Sequence, residues 1–172
     1  MELGLTFPLQ RFLKKTPPPY GVEPDRRFCW DLHRITLQGR SCLLAVHCHS
    51  RYTLVRNDVA PFQWDNLPEL FRESLLESLT AAGYAPLQVE NYLQKAGTVF
   101  LTRTHGRREV AFLNRAWDDV LTHSTFLDCT TQCQPLLEHA VNTHPSRCVG
   151  FTGLGTALKR ITATLPFDGE TP

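Results

Sequence analysis

The sequence predicts an α+β domain: an early antiparallel sheet or hairpin packed on one side by helices, followed by a helical C-terminal half. Three observations carry that reading. Residues 28 to 37 and 42 to 49 are dense in aromatic and branched side chains, with turn residues between them. From residue 66 onward, apolar residues recur mostly at helical spacing. No period of about 20 to 50 residues repeats, and 172 residues suffice for one core without disulfides or metal. Strands early and helices late favour α+β over a doubly wound sheet. A single domain over 1–172 is expected.

Leu3 to Leu5 read as a short strand. Thr6 as N-cap and Pro8 in the first turn then open a helix that groups Leu9, Phe12 and Leu13, with Lys14 and Lys15 at its negative end. Three prolines end it, and residues 15–27 read as a Pro-rich connector. In the hairpin, Gly39-Arg40 suits a type II′ turn, which sets Leu37 opposite Cys42, Ile35 opposite Leu44, His33 opposite Val46 and Asp31 opposite Cys48. The other face pairs Thr36 with Leu43, Arg34 with Ala45, Leu32 with His47 and Trp30 with His49. Residues 52 to 56 make a third strand.

A helix starts at Asp65 or Asn66, where Asn66 and Glu69 resemble a capping box, and carries the stripe Leu67, Leu70, Phe71, Leu75 and Leu79 to Gly83. Pro86 opens a shorter helix closed by Gly97, and residues 98 to 103 return to strand character. After the basic turn His105-Gly106-Arg107-Arg108, helices are expected through Val110 to Leu121, around Leu136 to Val141, and over 154 to 163. Residues 164–172 read as a flexible tail.

The formal charge of +1 conceals an alternation: residues 1 to 58 carry +4, 59 to 98 −3, 99 to 115 +3 and 116 to 172 −3. Two basic blocks meeting on one face would suit an acidic partner. The binding set is Arg34, Arg40, Arg51, Arg56, Arg103, Arg107 and Arg108 with Trp30 and Tyr52, because guanidinium groups fork phosphates and carboxylates while aromatic faces stack bases. Arg26, Arg27 and Tyr20 extend it. No helix-turn-helix, zinc-finger or RNA-binding-sheet signature accompanies these residues.

Cysteine and histidine offer two further constellations. In the register above, Asp31 and Cys48 oppose each other with His33 diagonal to the thiol, the residue types of a Cys-His-Asp triad. His123, Cys129, Cys133, His139, His144 and Cys148 supply the thiolate and imidazole donors that zinc prefers, but at gaps unlike the tight turns of structural zinc sites. No cofactor is expected, with zinc in that segment as the alternative. His47 and His49 read as part of a polar, water-facing sheet surface. Gly150 to Thr156 lacks the spacing and lysine of a phosphate loop. The six cysteines contain no Cys-x-x-Cys and read as thiols of a reducing compartment. With neither a membrane span of about 18 residues nor a signal-peptide layout, a cytoplasmic location is expected.

Leu3-Gly4-Leu5-Thr6 leading into Leu9-x-x-Phe12-Leu13-Lys14, Trp30-x-x-His33 before the Gly39-Arg40 turn, and Leu43-Leu44 form an ordered pattern. Leu67-x-x-Leu70-Phe71, Gly83-Tyr84, Tyr92-Leu93 and Thr102-Arg103-Thr104-x-x-Arg107 before Trp117 continue it. The whole resembles an uncharacterised bacterial domain-of-unknown-function family, number 6933, up to about residue 163. That resemblance implies a setting on plasmids and mobile elements beside regulatory or defence-type genes; it implies no activity. The Cys/His-rich stretch from 123 to 148 departs from the pattern. The resulting expectation is a non-enzymatic binding or regulatory module, of antitoxin or defence type, that engages an acidic protein or a nucleic acid through an Arg-bearing face. A Cys/His-dependent hydrolase or a zinc-binding protein is the alternative.

Overall fold

A computed structural model describes residues 1–14 and 17–165. It is α+β, one domain around a five-stranded sheet. In chain order the elements are β1 (Glu2–Leu5), α1 (Phe7–Phe12), β2 (Cys29–Leu37), β3 (Arg40–His47), β4 (Thr53–Arg56), α2 (Pro61–Asp65), α3 (Leu67–Ala81), α4 (Pro86–Ala96), β5 (Phe100–Arg103), α5 (Arg107–Thr122), α6 (Pro135–Thr143) and α7 (Ala157–Thr164). Most of the expected elements form, and α2 is an addition. Residues 166–172, most of the expected tail, lie outside the described residues, as do Lys15 and Thr16 of the connector.

The sheet is mixed rather than antiparallel. Its order is β4-β3-β2-β1-β5, with β1 parallel to both β2 and β5 and the other two pairs antiparallel. The opening residues therefore lie inside the sheet, inserted beside a strand formed almost a hundred residues later. Leu3 and Leu5 drive that insertion, burying their side chains almost completely.

The hairpin register differs from the expected one by two positions: Leu37 pairs with Arg40, Ile35 with Cys42, Asp31 with Val46 and Trp30 with His47. Gln38 and Gly39 both take positive φ, 47° and 79°, so the turn is type I′ rather than II′ and begins one residue earlier. An even slip keeps every side chain on its expected face but moves Cys48 off Asp31.

Helices cover both faces of the sheet, which corrects the one-sided expectation. Trp30, Leu32, Leu43, Ala45 and Leu54 pack with Leu70, Phe71, Leu75 and Leu79 of α3 and with Val89 and Tyr92 of α4. On the opposite face Ile35, Leu37, Cys42, Leu44, Val46 and Val55 pack with Leu113, Ala116 and Val120 of α5 and with Leu137 and Val141 of α6. Helix α6 also closes the exposed edge at β4: Asn142 Oδ1 accepts the Thr53 amide at 2.8 Å, its Nδ2 donates to the Thr53 carbonyl at 2.7 Å, and Glu138 Oε1 accepts the Val55 amide at 2.8 Å. An otherwise open ladder is thereby satisfied.

Candidate functional site

Chain direction at the parallel strands creates a crevice. After β1 the chain turns into α1, whose Leu9 joins the core layer of α3 and α4; after β5 it turns into α5, whose Leu113 joins the opposite layer. Where adjacent parallel strands send their chains to opposite faces, their carboxyl ends leave a cleft, the usual position of ligand sites in open sheets. A cleft of about 380 Å³ lies there, lined by Thr6, Phe7 and Pro8 after β1, His33 of β2, Thr104 after β5, and Val110, Leu113 and Asn114 of α5.

His33 is one of four polar residues in the cleft lining, with Thr6, Thr104 and Asn114. Its Nδ1 lies 2.7 Å from Thr6 Oγ1, and its ring tilts against Trp117 at 5.3 Å. Burial depresses its pKa below the usual histidine range, so it presents a neutral imidazole at neutral pH. Nε2 has no hydrogen-bond partner among the described residues. Thr6, expected as an N-cap, makes no capping bond to α1 and serves His33 instead.

Beside Thr104, the side chain of His105 folds back over β1 into a buried ionic cluster. Its Nδ1 is 2.6 Å from Asp31 Oδ1, its Nε2 3.1 Å from Glu2 Oε2, and Cys48 Sγ is 3.6 Å from Nδ1. The His105 backbone amide also donates to both Asp31 oxygens, and the His105 and Asp31 side chains are each 1% exposed. Gly4 makes the approach possible: a Cβ there would stand 2.1 Å from Asp31 Oδ1 and 2.9 Å from His105 Nδ1.

Burial opposes charge on His105, but its hydrogen bonds, led by Asp31, outweigh that and push its pKa up to about 12. Asp31 itself rises through burial, against the pull of His105. The two groups share one firmly held proton. Across the ring Glu2 stays ionised: burial raises its pKa, but the amides of Val22 at 2.7 Å and Glu23 at 3.0 Å, with His105, lower it further.

The Cys48-His33-Asp31 triad does not assemble. Asp31 and Cys48 do converge, but on His105, while His33 is turned to Thr6. Burial pushes the Cys48 thiol up to about 12 and leaves it 3% exposed, which makes it a poor nucleophile.

The arginines are divided among several surroundings. Arg34 stacks over Phe12 on the α1 side, whereas Arg51 and Arg108 lie over Phe112 of α5. Arg40 pairs with Asp58, Arg56 with Glu77 and Arg108 with Glu109. Arg103 holds the connector, donating to Pro18 O and Tyr20 Oη and lying over the Tyr20 ring. Arg107 is exposed at the start of α5. Trp30 and Tyr52 are core residues, 0% and 1% exposed, and offer no stacking surface.

The Cys/His-rich segment is likewise dispersed. Cys129 Sγ points to Gln38 Oε1 and Cys148 Sγ to the His49 carbonyl; Cys133 bridges to Arg56 on the sheet edge. His123 and His144 face each other with ring centres 6.0 Å apart, while His139 is exposed on α6. Among the described residues, the groups of three able to hold a metal are Glu2-Cys29-His105 and Asp31-Cys48-His105, and neither includes this segment. His47 is not water-facing: it is fully buried beside Trp30, bonded to Ser50 and the Arg27 carbonyl, and desolvation lowers its pKa to about 4.

Sequence reasoning missed His105 and Glu2. The available signal lay in the strands: Asp31 and Glu2 are acidic residues among apolar neighbours, and a buried carboxylate requires a partner.

Fold and cleft together define an α+β protein with a switch-point crevice and a buried ionic cluster at its side. The chain belongs to the family described as domain of unknown function DUF6933, whose model matches residues 2–153. No curated protein matches it. No helix among the described residues is long and apolar enough to cross a membrane.

Proposed function

We propose that this protein is a binding or regulatory module that takes a small, uncharged, largely apolar molecule in the cleft between the carboxyl ends of β1 and β5. One observation carries the reading: a cleft of about 380 Å³ at the switch point, walled by Phe7, Pro8, Val110 and Leu113, with a neutral His33 whose Nε2 is free to bond. That volume falls within the usual range for small-molecule sites, and a few convergent polar groups in an apolar wall fix orientation. The ionised groups nearby are already paired with one another, which favours an uncharged ligand.

The wider expectation of an antitoxin or defence-associated role on a bacterial mobile element rests on sequence resemblance, and such a module would act by coupling ligand occupancy to a partner. An arginine-mediated grip on nucleic acid or an acidic protein is the less favoured reading, because Arg40, Arg56 and Arg108 are already paired with carboxylates.

The test is a titration with indole as probe, followed by amide and imidazole NMR signals. Saturable shifts at His33, Thr104 and Val110, lost when Val110→Trp fills the cleft, are the expected result. Shifts that are absent, or that persist in Val110→Trp, overturn it.

A further inference from the structure

We propose that Asp31, Cys48 and His105 form a binding site for a zinc-class divalent cation, with Glu2 as the hydrogen-bonding support of the histidine ligand. The site does not depend on what the cleft binds. Its three donors come from three separate segments: Asp31 from near the start of β2, Cys48 from just beyond β3, and His105 from the loop after β5. One carboxylate oxygen, one sulfur and one imidazole nitrogen lie within 4.8 Å of one another, with Asp31 and Cys48 buried and the His105 side chain 1% exposed. Mixed oxygen, nitrogen and sulfur donors suit zinc, which accepts all three and has no electronic preference for geometry.

The spacing is close to what a tetrahedral ion demands. Bonds of about 2.0–2.3 Å place neighbouring donors roughly 3.3–3.8 Å apart. Cys48 Sγ is already 3.6 Å from His105 Nδ1, and Asp31 Oδ1, at 2.6 Å, has to withdraw by about 1 Å. Gly4 leaves the adjoining space clear of a side chain.

The second nitrogen of the ring explains why this side of His105 is chosen. Nε2 points to Glu2 Oε2 at 3.1 Å, and Glu2 is itself fixed by the amides of Val22 and Glu23. A metal-bound histidine characteristically donates its other N–H to a carboxylate held in this way. The alternative trio of Glu2, Cys29 and His105 uses Nε2, but the Cys29 thiol is directed at the Glu23 and Asp25 carbonyls. Charge balances without rearrangement. The dication displaces the proton shared by His105 and Asp31 and the proton of the Cys48 thiol, so the cluster keeps its net charge and both protons leave to solvent.

Cobalt(II), titrated into the full chain after chelator treatment, tests the assignment. A thiolate-to-cobalt band with tetrahedral visible absorption, both bleached by zinc, is expected. Cys48→Ser loses the thiolate band and Cys129→Ser retains it, while Glu2→Gln keeps the band at an affinity 10- to 100-fold lower. Absence of the band in the unmodified chain, or a band unchanged in Cys48→Ser, overturns the site. Cadmium-113 NMR of the unmodified protein decides the matter even where a variant fails to fold: a one-sulfur chemical shift supports the assignment, and an oxygen- and nitrogen-only shift rejects it.

Discussion

Asp31 and Glu138 are both carboxylates buried against the sheet, 1% and 3% exposed, yet they end in different chemical states. Asp31 meets an imidazole at 2.6 Å that answers its charge, with Glu2 across the ring. Glu138 has a serine hydroxyl from Ser78 and one amide from Val55, and burial, only partly offset by these and by Arg56, pushes its pKa up to about 8. Arg56, its nearest cation, is already paired with Glu77. One carboxylate is thus stabilised as part of an ionic pair and the other as a neutral acid. The first solution ties distant segments together, joining the loop after β5 to β1 and β2; the second seals an edge strand and makes stability depend on pH.

Removing the cation from the first cluster has the largest expected effect. His105→Leu leaves Asp31 and Glu2 as buried carboxylates with backbone amides but no cation between them, and breaking such a buried pair from one side costs about 3–5 kcal/mol. Urea unfolding at pH 7 is expected to show a loss of that size, and a loss below about 1 kcal/mol would mean that water already reaches the cluster. Gly4→Ala attacks the same contact from below. Its Cβ would lie 2.1 Å from Asp31 Oδ1, so the carboxylate must leave His105, at a cost of about 1–3 kcal/mol. An unchanged melting temperature in Gly4→Ala would show that the cluster has slack.

Glu138 supplies a contrast of sign. Its pKa rises from 4.5 in the unfolded chain to about 8 in the fold. Below pH 4.5 both states are protonated and the group contributes nothing. Between pH 4.5 and 8 the unfolded chain ionises while the fold retains its proton, so stability falls as pH rises, and above pH 8 the loss is complete. Glu138→Gln keeps an acceptor for the Val55 amide, turns an amide N–H toward Ser78 where an oxygen now accepts from its hydroxyl, and cannot ionise. It is expected to flatten this decline and to add roughly 1–3 kcal/mol at pH 8 while leaving pH 4.5 nearly unchanged. Thermal melts across that pH range check it, and parallel pH profiles for the two proteins would refute it.

The difference between the two regions also explains what was legible in the sequence. The strands and helices were readable because apolar spacing dictates them, as in the α3 stripe of Leu67, Leu70, Phe71, Leu75 and Leu79. The interior place of β1 was not, since a four-residue strand carries no mark of partners that arrive with β2 and β5. The hairpin faces were right and the register was not, because Gln38 accepts a positive φ that its residue type does not advertise. Asp31 and Cys48 were picked out, but the histidine that joins them sits in a turn that reads as a run of cations. Local sequence shows which residues need a partner. Only the chain path shows which one they receive.

The smallest effect concerns the arginines, whose blocks of charge suggested one docking face. Arg40, Arg56 and Arg108 are already paired with carboxylates, and Arg34 and Arg51 lie over aromatic rings associated with different layers. An exposed pair such as Arg40–Asp58 contributes at most about 1 kcal/mol, so Arg40→Ala is expected to shift stability by less than that. The same pairing cancels long-range attraction. The protein should therefore elute early from heparin, and Arg107→Ala should elute with it, since one exposed guanidinium neutralises about one phosphate and yields a shallow salt slope. Retention that falls steeply with salt would restore the arginine surface and would mean that these ion pairs open to admit a polyanion. In that case the two buried carboxylates would be structural supports, and the arginines the site of function.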